Sequence, residues 1–71
     1  LSSNAEASLT TRELEILEIL SHGYSNRKIA GKLEISDNTV KFHLKNIFEK
    51  IQVDNRTQAV AFYNQLQKEK L

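Results

Sequence analysis

Lys41 and Lys45 stand four residues apart in the stretch Thr39-Val40-Lys41-Phe42-His43-Leu44-Lys45-Asn46, with Phe42 beside the first of them. On a helix, residues at this spacing are neighbours, so the two ammonium groups share a face. Lysines placed this way can donate to guanine O6 and N7 or to phosphate oxygens, and an apolar ring beside them can pack on a thymine methyl. Val40, Leu44, Ile47, Phe48 and Ile51 recur at helical spacing and mark the inward side of the same helix. At about 100° per residue, Phe42 lies roughly 200° from Val40, so the stripe does not account for it. On the residues alone, two readings of Phe42 stay open: a ring that touches bases, or a ring packed on the domain's surface or against a second chain. Asn46 and Glu49 complete the side of this helix left outside by the stripe.

Ser25, Asn26, Ser36, Asn38 and Thr39 gather at the starts of two helices, where free N–H groups and the helix dipole favour an anion. They are the candidates for DNA backbone contacts. Ser25 and Ser36 also read as N-caps, which is their main expected role. His43 falls toward the buried flank beside Val40 and Ile47, where a packed imidazole with one nitrogen hydrogen-bonded is expected ahead of a DNA contact. The sequence has no Ser/His/Asp grouping with sensible placement and no glycine-rich phosphate loop, and its carboxylates are expected on solvated faces. No catalytic residue is therefore assigned. With no cysteine and two histidines, neither a disulfide nor a metal site is expected, and no cofactor or small-molecule ligand.

The elements that must position these side chains belong to a chain of 71 residues, one small domain at most. Such a chain buries only about 60% of its unfolded surface, so helix caps and packing must carry much of its stability. The absence of proline and the presence of only two glycines favour helix. No apolar run approaches the ~20 residues that span a bilayer, and the residues show no signal-peptide pattern, so a soluble, cytoplasmic domain is expected. Net charge is +1, but it is unevenly spread. Residues 26–50 carry Arg27, Lys28, Lys32, Lys41, Lys45 and Lys50 against Glu34, Asp37 and Glu49, a net of +3. Residues 1–25 carry Glu6, Glu13, Glu15 and Glu18 against Arg12, a net of −3. A basic middle segment suits a polyanion, and it also suits a plain solvated helix face.

Residues 1–8 lack periodicity and are expected to be a flexible linker or tag remnant, Ser3-Asn4-Ala5 having the look of a cleavage scar. Beyond them an apolar residue, a small polar residue and a second apolar residue four positions after the polar one recur as Leu9-Thr10-Leu14, Tyr24-Ser25-Ile29 and Ile35-Ser36-Val40. This is a hydrophobic staple around an N-cap, and Glu13 makes the first a capping box. Asn55 with Gln58 gives a fourth start. These signals predict helices over roughly 11–22, 26–33, 37–51 and 56–69. In the first, Leu14, Leu17 and Leu20 form the expected stripe with Ile16 beside it and Ile19 on the flank, and Gly23 closes it in a left-handed cap. The turn Leu33-Glu34-Ile35-Ser36 between the second and third, with Ala30 allowing a close crossing, defines a helix-turn-helix. Glu34 stands where such turns often take glycine. The fourth helix has an apolar band wide enough to serve both the core and a partner.

These residues resemble the DNA-binding domain of LuxR/NarL/FixJ-type (GerE-like) bacterial transcriptional regulators. The resemblance runs through LTTRELEIL at 9–17, GYSNRKIAGKLEIS at 23–36, TVKFHLKNIFEKI at 39–51 and VDNRTQAV at 53–60. It implies an all-α, four-helix domain over residues 9–71, with a recognition helix at 37–51 in the major groove of double-stranded DNA and a fourth helix that forms a homodimer. By position it assigns base contacts to Lys41, Phe42 and Lys45 and backbone contacts to Ser25, Asn26 and Thr39, and on the fourth helix Ala61, Phe62 and Gln65 are the candidates for dimerisation. Phe42 is then expected to be largely exposed in the free domain. The resemblance further implies the C-terminal output domain of a two-component response regulator, a reading that the end at Leu71 fits, with RNA polymerase as a further candidate partner. Thr11, Lys28 and Gln52 depart from the family's usual proline, glutamate and glycine, and Gln52 leaves a left-handed cap after the third helix in question. Two rival readings are a sigma-factor region 4-like promoter-binding domain, against which NRTQAV argues, and a helical protein-interaction module with a basic face.

Overall fold

The computed structural model describes residues 8–69; the linker expectation for residues 1–8 falls outside this range except at Ser8. Among the described residues the chain forms four α-helices and no strand: α1 (Thr11–Ser21), α2 (Asn26–Leu33), α3 (Asp37–Ile51) and α4 (Arg56–Glu69). The all-α, four-helix expectation holds, and α2, α3 and α4 have the bounds that their caps predict.

Each helix starts on the predicted polar side chain. Thr10 Oγ1 accepts from the Glu13 N–H at 3.1 Å while Glu13 Oε1 accepts from the Thr10 N–H at 3.0 Å, closing the capping box. Ser25 and Ser36 accept from the N–H groups of Lys28 and Thr39, and Asn55 Oδ1 accepts from that of Gln58 at 2.9 Å. Gln58 Oε1 reaches back one residue beyond the cap, to the Asp54 N–H at 2.7 Å. The staple residues Leu9, Ile29 and Val40 enter the core, with Leu14, Tyr24 and Ile35 packed against it.

The helix ends also repeat one design. Gly23 takes a left-handed conformation (φ 88°) after α1, as expected. Glu34 and Gln52 take the same conformation at φ 58° although neither is glycine. In both places the next residue is apolar and its N–H reaches back into the helix, Ile35 to Ala30 O and Val53 to Phe48 O, each at 3.0 Å. The left-handed cap left in question after α3 therefore forms, on glutamine. Burying Ile35 and Val53 and satisfying a free carbonyl offset the cost of a side chain at positive φ.

α1 packs against each of the other three helices, and α2 crosses α3 as the helix-turn-helix. The core comprises Ile16, Leu17 and Leu20 of α1, Ile29 and Ala30 of α2, Val40, Leu44, Ile47 and Ile51 of α3, and Ala59 of α4, with Leu9 before α1. Within α1 the stripe is rotated from its expected position: Ile16 is fully buried while Leu14 is only half-buried. The wide contact of α1, with helices on several sides, draws in Ile16 where a single-faced stripe would leave it flanking. No helix of the described residues is long and apolar enough to cross a membrane.

Candidate nucleic-acid interface

The inward stripe of α3 fixes what the helix shows outside. With Val40, Leu44, Ile47 and Ile51 buried, Lys41, Phe42, Lys45 and Glu49 are exposed and Asn46 is half-buried. Phe42 is 62% exposed, the one exposed large hydrophobic side chain among the described residues. That meets the expectation of a largely exposed ring. His43 is half-buried and its ring stands edge-on to Phe42, centroids 6.0 Å apart. The hydrogen bond expected at one of its nitrogens is not formed within the described residues.

The five polar candidates cluster around the two helix starts, with different degrees of freedom. Ser25, Ser36 and Asn38 are exposed, whereas Asn26 and Thr39 are half-buried. The Ser36 and Thr39 hydroxyls share a hydrogen bond at 2.8 Å, so both are preset over the first turn of α3. Asn26 is held by Arg56, whose Nη1 donates to Asn26 Oδ1 at 2.8 Å while its Nη2 donates to the Tyr24 carbonyl at 2.6 Å. With its oxygen engaged in this way, Asn26 keeps its NH2 group as a donor. Asn26 and Arg56 also line an open groove with Lys41, Lys45 and Glu49, which joins the starts of α2 and α4 to the outer face of α3. Arg56 was not among the predicted site residues, because a tie across 30 positions leaves no local pattern.

A second missed pair corrects the expectation that the carboxylates lie on solvated faces. Glu13 is only 4% exposed, and Lys50 Nζ bonds its Oε1 at 2.7 Å. Burial pushes the Glu13 carboxyl up, but hydrogen bonds from Lys50 and Thr10 and the Lys50 charge outweigh it and hold the group below its ordinary value. Lys50 is thereby taken out of the basic surface. On α4, Ala61 and Gln65 are exposed and four residues apart, hence on one face, while Phe62 is half-buried and packs partly against the core.

The sequence matches the family described as "Bacterial regulatory proteins, luxR family" over residues 7–63. It is 57% identical over 63 residues, 89% of its length, to the CsgBAC operon transcriptional regulatory protein of Escherichia coli, and covers 29% of that protein. It is 50% identical over 54 residues, 76% of its length, to the response regulator protein VraR of Staphylococcus aureus, of which it covers 26%. Among solved structures it superposes on the response regulator ChrA of a heme-sensing two-component system with a TM-score of 0.80 and 50% identity, covering 84% of this chain and 30% of that one. The chain thus spans less than a third of the length of these proteins.

Proposed function

The chain belongs to the luxR family of bacterial regulatory proteins, DNA-binding domains of transcriptional regulators rather than enzymes, and from that premise we propose that it reads a specific sequence in double-stranded DNA with α3 in the major groove. The observation that carries this reading is the outer face of α3, where Lys41, Phe42 and Lys45 are exposed opposite a fully formed buried stripe. The lysines donate to guanine edges and the Phe42 ring packs on a thymine methyl. Ser25, Asn26, Ser36, Asn38 and Thr39 hold phosphates at the starts of α2 and α3, fixing register without reading sequence. A homodimer through the α4 face of Ala61 and Gln65, with the edge of Phe62, sets two half-sites about 10 bp apart or a multiple of that. The response-regulator relatives support a role as the output domain of a two-component regulator, acting in the cytoplasm, with RNA polymerase as a candidate partner. Selection of bound duplexes from a random pool tests the reading. It expects one enriched half-site, present twice at that spacing. A pool that stays random would remove base reading, and failure to retain any duplex would leave the helical protein-interaction module as the better account.

A further inference from the structure

The outer face of α2 carries a feature that base reading does not use. Arg27, Lys28, Gly31 and Lys32 are all exposed, and together with Ser25 they line an open notch with Gly31 between the cations. A glycine inside a helix is less favourable than almost any other residue, so its presence asks for a reason. Backbone conformation is not the reason, because Gly23 is the glycine with positive φ. Packing is not the reason either, because a Cβ built on Gly31 meets no heavy atom within 4 Å. The fold would accept a side chain there. What a bare backbone provides is close approach by something outside the fold.

The chemistry around the notch says what that something is. It has three cationic side chains and one hydroxyl, and no carboxylate lines it. None of the three cations is in an ion pair among the described residues, and Lys32 Nζ is steadied 4.9 Å from the Tyr24 ring centroid. Ser25 belongs both to this notch and to the helix start that holds phosphate in the proposed function, so the two surfaces are continuous. We propose that the Gly31 notch seats a backbone phosphate of the same duplex, outside the bases read by α3, as a sequence-independent anchor. The inference rests on the proposed DNA-binding function and extends its footprint along α2.

The test is Gly31→Gln, with Gly31→Ala as the smaller step, each titrated with a selected and a random duplex over a range of salt. Gly31→Gln replaces a helical glycine, so it is expected to melt at a higher temperature than the parent chain. It is nevertheless expected to bind both duplexes more weakly by the same factor, with a salt slope shallower by about 0.9 for each phosphate lost. Gly31→Ala should fall between. Affinity and slope equal to the parent's would overturn the notch while leaving parental DNA binding intact. A loss confined to the selected duplex would also overturn it, since the anchor is independent of sequence. If the parent chain itself shows no salt-dependent duplex binding, it is the underlying function that fails.

Discussion

Phe42 sets the terms at the scale of single residues, because a phenylalanine left 62% exposed on a small domain gains little by burial. Phe42→Ala should therefore change unfolding free energy by less than about 0.5 kcal/mol while weakening binding to the selected duplex more than to random DNA. Lys45→Ala should cost about 1–3 kcal/mol on the selected duplex, and an unchanged ratio of selected to random affinity would take Lys45 out of base readout. Glu13 makes the opposite case, a charged group whose role is in the fold. Its carboxyl is held below the ordinary value of 4.5, so the stability it contributes is present above that pH and is lost as pH falls through the lowered folded value. Urea unfolding as a function of pH should show Glu13→Gln less stable than the parent at neutral pH, with the gap closing below about 4.5. Lys50→Met should cost about 1–3 kcal/mol at neutral pH by leaving the buried carboxylate without its cation. A Lys50→Met chain as stable as the parent would show the pair to be incidental.

At the scale of elements, the turns between helices hold two residues whose type conflicts with their backbone. Glu34 and Gln52 both sit at φ 58°, a conformation that costs a residue with a Cβ about 1–2 kcal/mol and glycine little. Glu34→Gly and Gln52→Gly are each expected to raise stability by about 1 kcal/mol, or several degrees in Tm, measured by thermal melts. No gain at either position would mean that the exposed side chain repays its strain elsewhere. The helix starts were fully legible because capping is a contact among residues two or three apart, as at Thr10, Ser25, Ser36 and Asn55. The left-handed ends on Glu34 and Gln52 were not, because neither residue type announces positive φ; the following Ile35 and Val53 were the available signal.

At the scale of the whole molecule, α4 presents two different sides. Its inner side contributes Ala59 and Leu66 to the buried residues, and Arg56 at its start ties it to α2, while Ala61 and Gln65 face outward. Ala61→Glu should abolish two-half-site binding while leaving single-half-site affinity and stability near those of the parent, as read by sedimentation with full-site and half-site DNA. If the parent domain remains one copy per full site, the dimer proposal fails. Charge follows the same division: of the six cations in residues 26–50, Lys50 is turned inward to Glu13, and Arg27, Lys28, Lys32, Lys41 and Lys45 remain exposed.

The four helices, their starts and the helix-turn-helix are legible along the chain, since each follows from periodicity or from side chains a turn apart, whereas periodicity only takes Phe42 out of the inward stripe and its exposure is expected from the family resemblance. The packing of the helices is what buries Ile16 rather than Leu14, brings Glu13 and Lys50 together across 37 positions, lets Arg56 hold Asn26 and leaves open space above Gly31. These depend on how whole helices cross, and a crossing is set by the summed packing of distant faces, which no local stretch of residues encodes.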